Sequence, residues 1–249
     1  MKKLLQAVLC LLLSAVLPAC GLSSFAEDEG ELTCGDYAYQ LLEDGSARIT
    51  AYTGDATELA VPAELDGHPV QEIGDLAFSY CCSLTTVTLP EGLQTIGNGA
   101  FSNCYSLTSI ELPEGLQSID DYAFADCPLL TTVVLPESLK SIGKGIFYLC
   151  QSLTSVTLPE GLESIGENAF YQCYSLASVT LPESLKSIGK GAFSQCLSLT
   201  SVMLPESLTS IGTDVFVDCY ASLVLTVPRD SYACQYAIEN GISYTLRDQ

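Results

Sequence analysis

The chain has no tryptophan, a single histidine, and nine lysines and arginines against 30 aspartates and glutamates in 249 residues. With His68 as the sole imidazole, no second histidine completes a metal cage, and no Ser or Cys nucleophile has a histidine partner at a fixed spacing. His68 lies in a turn between Gly67 and Pro69 and reads as a surface-loop residue rather than a general base. Glycine-rich phosphate loops and paired-cysteine metal motifs are missing, so no cofactor and no metal are expected. The shortage of basic residues leaves a formal net charge of −21. Such a surface repels phosphate backbones and anionic lipid, which excludes nucleic acid as a partner. Carboxylates are plentiful enough for a glycosidase pair, the remote alternative, but they are spread along the chain rather than gathered, and the chain reads as no enzyme.

The sequence is rich in repetition. Phe recurs at 78, 101, 124, 147, 170, 193 and 216, Cys at 81, 104, 127, 150, 173, 196 and 219, and Pro at 90, 113, 136, 159, 182, 205 and 228, always 23 residues apart. No single copy has enough apolar residues for its own core, so the turns of a solenoid must bury their faces against one another. In the copy Cys104 to Asp126, the inward positions are Leu107, Ile110, Leu112, Leu116, Ile119, Ala123 and Phe124, followed by Cys127. The stretch ending at Leu112 alternates as a half-buried strand does, and Pro113, which has no N–H to give, stops it. A second extended piece, Leu116 to Ile119, leads to a residue that is Gly at 74, 97, 143, 166, 189 and 212 and Asp at 120, types that tolerate a left-handed backbone. A short helical or 3₁₀ turn then drives Phe124 inward. Stacked copies make a parallel sheet on one side and short helices or turns on the other.

The pattern C-x-x-L-x-x-I-x-L-P-x-x-L-x-x-I-G-x-x-A-F resembles the BspA-like leucine-rich repeats of bacterial surface and secreted proteins, from about Cys34 to the C-terminus. Pro and Glu follow the strand where the commoner leucine-rich pattern runs on to Asn or Cys, and the ladder Cys precedes the strand instead. The resemblance implies an α/β right-handed leucine-rich-repeat solenoid of about seven turns, used for binding or adhesion, with no catalytic residues to carry over.

Along the chain, residues 1–26 read as a signal peptide: Lys2 and Lys3, an apolar run from Leu4 to Leu17, then small residues. Its removal takes the charge to about −23. Two exits compete. Ser24-Phe25-Ala26 before Glu27 suits ordinary secretion, whereas Leu17-Pro18-Ala19-Cys20 resembles a lipoprotein box that would make Cys20 a lipidated first residue and the only tie to a membrane. Residues 27–58 form an N-terminal β cap, a hairpin turning at Glu43-Asp44-Gly45. The solenoid spans 59–228, with a surface loop at Leu65 to Pro69. Residues 229–249 form the C-terminal cap, with a helix from Ser231 to Asn240 ended by Gly241.

Seven of the twelve cysteines form one ladder. Its rungs lie about 4.8 Å apart, but in-register side chains point the same way and meet the disulfide dihedral poorly, so buried free thiols acting as small hydrophobes are expected. Cys34 and Cys82 could meet in the N-terminal cap. Charges at Lys140, Glu163 and Lys186, and at Asp121, Lys144, Glu167 and Lys190, alternate between turns and avoid a like-charge stack. Glu91, Glu114, Glu137, Glu160, Glu183 and Glu206 form one column that reads as a solvated edge or as a carboxylate row for Ca²⁺.

The candidate binding surface is the outward sheet face: Thr86, Thr88, Ser109, Glu111, Thr132, Val134, Ser155, Thr157, Ser178, Thr180, Ser201 and Met203. It is flat and hydroxyl-rich, lacks the aromatic anchors of most hot spots, and would also suit a plain solvated sheet. Tyr105, Tyr174 and Tyr220 are the competing contacts. The expected function is an exported, secreted or surface-held protein that binds another protein or a surface glycan; the alternative is an envelope spacer without a ligand.

Overall fold

The computed structural model describes residues 30–220 and 222–247. The signal-peptide reading, with both cleavage sites and Cys20, lies outside them. Strands β1 (Leu32–Cys34), β2 (Tyr37–Leu41) and β3 (Ala47–Tyr52) make an antiparallel cap. In its tight turn Ser46 N–H donates to Asp44 Oδ1 at 3.0 Å and Gly45 takes φ +83°, as an Asp-Gly hairpin requires. Next come β4 (Glu58–Ala60), β5 (Glu64–Leu65) and β6 (His68–Ile73).

From there each repeat contributes a three-residue strand and a two-residue strand. In chain order these are β7 (Thr86–Thr88) and β8 (Thr95–Ile96), β9 (Ser109–Glu111) and β10 (Ser118–Ile119), and β11 (Thr132–Val134) and β12 (Ser141–Ile142). They continue as β13 (Ser155–Thr157) and β14 (Ser164–Ile165), β15 (Ser178–Thr180) and β16 (Ser187–Ile188), and β17 (Ser201–Met203) and β18 (Ser210–Ile211). The chain ends with β19 (Val224–Pro228), helix α1 (Tyr232–Glu239) and β20 (Tyr244–Arg247). Nine rungs therefore line the first face, β4 to β20, so the coil extends beyond the seven sequence copies to about nine turns. The second extended piece forms its own parallel ladder, β6-β8-β10 and β12-β14-β16-β18, so each turn has three sides.

The third side consists of turns and no helix; among the described residues α1 is the only helix. Two left-handed residues per repeat explain this. One column, Leu76, Gly99, Tyr122, Gly145, Asn168, Gly191 and Asp214, has φ between +53° and +63°. A second, Tyr80, Asn103, Asp126, Leu149, Gln172, Gln195 and Asp218, has φ between +54° and +63°. A helix cannot run through either, because positive φ breaks its hydrogen-bond series. In the first column large residues alternate with Gly because each lies over the next: a Cβ on Gly145 would sit 2.3 Å from Tyr122 Cε1. The conserved-phase glycines at 74, 97, 143, 166, 189 and 212 are not left-handed, contrary to the expectation from residue type. They are required by close stacking instead, since a Cβ on Gly166 would lie 2.5 Å from the Gly143 carbonyl carbon. On this side the backbone donates to the following turn, as in Phe101 N–H to Ala123 O and Phe147 N–H to Ala169 O, both 2.8 Å.

The core is a set of columns one side chain thick. Phe78 through Phe216 stack with centroid spacings from 4.9 to 5.8 Å. The stack is closed by Tyr52 of the cap at 5.3 Å and by Tyr236 of α1 at 6.4 Å. The two caps thus cover the end faces that a solenoid would otherwise leave apolar and wet. Ser231 caps α1, its side chain accepting from Cys234 N–H, and Gly241 follows at φ +64°.

Cys34 and the seven ladder cysteines carry free thiols, so no disulfide joins Cys34 to Cys82. The ladder thiols do more than fill space. Cys104, Cys127, Cys150, Cys173, Cys196 and Cys219 each donate S–H to the carbonyl of the Phe 26 residues earlier, at 3.1 to 3.3 Å. Burial pushes the Cys150 thiol up to about 12 and that of the partly covered Cys219 to about 11.

Candidate functional site

The expected contact residues lie together on the first face, held in register by parallel pairing. Thr86 pairs with Ser109 and Thr88 with Glu111. Thr132 lies between Ser109 and Ser155, Val134 beside Thr157, Ser178 beside Ser201, and Thr180 beside Met203. The middle residue of each strand points inward and is buried, from Val87 to Val202. The flanking residues therefore stand out to solvent; Thr86 and Ser109 are half-buried and the other ten exposed. Val134 is 62% exposed and Met203 49%, and they bracket Thr157 and Thr180 in the same column.

Over β11, β13, β15 and β17 the outward residues are Thr132, Val134, Ser155, Thr157, Ser178, Thr180, Ser201 and Met203, with no charge among them. Ion pairs gather on the second face, where Lys186 Nζ meets Glu163 at 2.7 Å, Lys144 meets Glu167 at 3.7 Å and Lys190 meets Asp214 at 3.9 Å, while at the end of the strip Arg247, paired with Glu183, reaches Met203 Sδ at 3.6 Å. Lys186 lowers the Glu163 carboxyl below its ordinary range.

The edge of the first face is set by a column of threonines. Thr85, Thr108, Thr131 and Thr154 each donate from the hydroxyl to the carbonyl of the preceding rung, at 2.8 to 3.2 Å. Ala177 takes this place in the next copy, and there the sheet is interrupted between β13 and β15. This side-chain ladder was readable in the Thr column but needed the stacking direction to be recognised.

The glutamate column is woven into the coil. Glu114 Oε2 accepts from Glu137 N–H at 3.3 Å, Glu137 Oε2 from Glu160 N–H at 3.2 Å, and Glu183 pairs with Arg247 at 2.7 Å. Among the described residues no group of His, Cys, Asp or Glu is arranged to hold a metal ion. A shallow acidic groove on the second face is lined by Asp75, Asn98, Ser118, Asp120, Asp121 and Ser141. Partial burial, then Asp75, Asp121 and Glu72, hold the Asp120 carboxyl above its usual range. Sequence reasoning missed this groove; the signal was Asp120 standing where other copies have Gly.

The remaining candidates are structural in their contacts. His68 Nδ1 lies 2.9 Å from Gly45 O, and Tyr39 donates to Asp66 at 2.8 Å, so the loop at Leu65 to Pro69 is tied to the cap. Tyr105 is half-buried and donates to Asn103 at 3.1 Å, Tyr174 is half-buried, and Tyr220 is 54% exposed. No helix of the described residues is long and apolar enough to cross a membrane.

A profile of the BspA type leucine rich repeat region matches residues 71–162 and 117–241 in six copies. Curated proteins yield no match. A leucine-rich-repeat protein of T. pallidum superposes with a TM-score of 0.74 at 37% identity, covering 86% of this chain and 98% of its own. A leucine-rich cell surface protein of Faecalibacterium prausnitzii gives 0.46 at 26% identity, covering 79% and 76%. A Bacteroides capillosus leucine-rich-repeat protein gives 0.47 at 30% identity over 51% of this chain and 97% of its own.

Proposed function

Because the chain belongs to the BspA-type leucine-rich-repeat family, we propose that it is an exported, non-catalytic module that binds another protein or a surface glycan through its first face. The supporting observation is the distribution of charge. In a chain of formal charge −21, the outward positions of β11, β13, β15 and β17 carry none. Interface centres are depleted of charge in this way, because a charge buried against a partner loses its hydration. The strip runs four rungs, roughly 14 Å between its first and last strands, and offers methyl groups and hydroxyls together, a chemistry matched to uncharged glycan or to a flat protein face.

Retention of fluorescently labelled protein on a glycan array and on immobilised extracellular proteins tests this reading. A Thr157→Lys/Thr180→Lys variant should lose whatever the parent retains, while Lys140→Glu, on the second face, should keep it. Equal retention by both variants would move the site elsewhere, and no retention by the parent would favour the envelope spacer.

A further inference from the structure

The rungs are not uniformly joined. Between turns 81–103 and 104–126, β7 and β9 share three aligned pairs and β8 and β10 two, and Asp120 N–H donates to Ile96 O at 2.9 Å. Between turns 104–126 and 127–149 the first face keeps one aligned pair, Thr132 with Ser109, and the bonds of Thr131 to Thr108 O at its edge, and the second face keeps no strand pair. The equivalent bonds return one turn later, as Glu163 N–H to Lys140 O at 2.8 Å and Gly166 N–H to Ile142 O at 3.0 Å. Lys140 and Gly143 N–H have no carbonyl partner across the gap.

Asp120 accounts for the gap. It occupies the column in which a Cβ on Gly97, Gly166, Gly189 or Gly212 would lie 2.5 to 2.8 Å from the carbonyl carbon of the turn before, against 2.9 Å from Gly143 to Asp120 across the gap. Asp120 carries that Cβ, keeps its bond to Ile96, and so passes its displacement to the following turn. The third side stays closed. Tyr122 N–H donates to Lys144 O at 2.8 Å and Phe124 N–H to Ile146 O at 3.0 Å, and Lys144 N–H donates to Asp121 Oδ1 at 2.6 Å. Outside these bonds Tyr122 packs edge-on against Tyr148 at 6.4 Å, which stacks on Tyr171 at 4.9 Å.

We propose that the solenoid is jointed between turns 104–126 and 127–149, opening on its two sheet faces and pivoting about the third side with its tyrosine stack. The joint separates two arms of different surface. The N-terminal arm holds the cap and Glu111, the C-terminal arm holds the uncharged strip, whose turns the continuous second-face ladder β12-β14-β16-β18 keeps together, and the acidic groove lies across the joint, with Ser141 on its far side. Bending at the joint changes the angle between them, so a partner wider than the strip could be met by both arms.

Amide hydrogen exchange on the full chain, kept reduced, reads the joint directly. Lys140 and Gly143 should exchange at least about tenfold faster than Glu163 and Gly166, while Phe124 is protected as well as Phe170. Asp120→Gly, which restores the residue of the other six turns, should bring Lys140 and Gly143 to within about twofold of Glu163 and Gly166. Pulsed electron-electron distances between labels on non-natural residues at positions 60 and 226 supply the second reading. The parent should give a broad distribution and Asp120→Gly a narrower one. Equal protection at the two rungs, or equal widths in parent and variant, would overturn the joint.

Discussion

Cys150→Ala and Cys173→Ala remove the same group from two equally buried sites, yet they should not cost the same. Both thiols are 0% exposed, so the loss of buried volume is common to both, about 1 kcal/mol for one sulfur. The carbonyls they serve differ. Phe147 O, the partner of Cys173, also accepts Cys150 N–H at 3.1 Å, whereas among the described residues Phe124 O accepts from the Cys150 thiol alone, at 3.1 Å. Removing that donor leaves a buried acceptor unsatisfied, a penalty of about 1–3 kcal/mol. Cys150→Ala should therefore be the more destabilising by roughly that amount, and Cys150→Ser, which keeps a donor, should recover part of it. Urea unfolding under reductant measures the difference, provided the slopes of the variants agree, since a repeat array can lose two-state behaviour. Equal losses in the two alanine variants, or a serine variant worse than alanine, would show that the thiols act only as small hydrophobes and refute the donor argument.

Thiol titration at pH 8 should find Cys104, Cys127, Cys150, Cys173 and Cys196 silent in the folded chain and reactive after unfolding, because burial holds them protonated; full reactivity without unfolding would contradict the buried ladder. Phe147→Ala, between rings at 5.7 and 5.5 Å, should cost about 3–5 kcal/mol in the same urea assay. Ala177→Thr should restore the hydroxyl ladder and add about 0.5–1.5 kcal/mol, with a raised melting temperature as the readout. Burial raises the Asp126 carboxyl above its ordinary value of 3.8, with the Tyr105 hydroxyl acting in the opposite sense. The folded state then holds its proton more tightly than the unfolded one, so this group costs stability as pH rises above 3.8. Asp126→Asn should accordingly melt higher than the parent at pH 7 and lose that advantage by about pH 3; a constant gap at both pH values would exclude the carboxyl as its source.

The period of Phe, Cys and Pro made the solenoid and its inward columns legible, because each is a pattern in residue type alone. What escaped was set by contacts between copies. Glycine at 74, 97 and 143 looks like a left-handed turn residue, yet its reason is the backbone of the neighbouring turn. The true left-handed sites include Leu76, Tyr80 and Leu149, residues whose type argues against positive φ, and the hint lay in Gly99, Gly145 and Gly191 of one column and in Asn103, Asp126 and Asp218 of the other. The thiol bonds were invisible for the same reason, since the Phe carbonyl they meet belongs to the turn before. The first face was identifiable from strand alternation, whereas its threonine ladder and the gaps at Asp120 and Ala177 depend on stacking direction. Those two substitutions were visible in the repeat without a physical meaning until the rungs were in place.

Fractionating the producing cell into cytoplasm, membrane and medium, and taking the intact mass of the chain in each, tests the proposed exported role most directly. The account predicts a chain shortened at its N-terminus, beginning at Glu27 in the medium or at a lipid-modified Cys20 on the membrane. A full-length chain confined to the cytoplasm would contradict it.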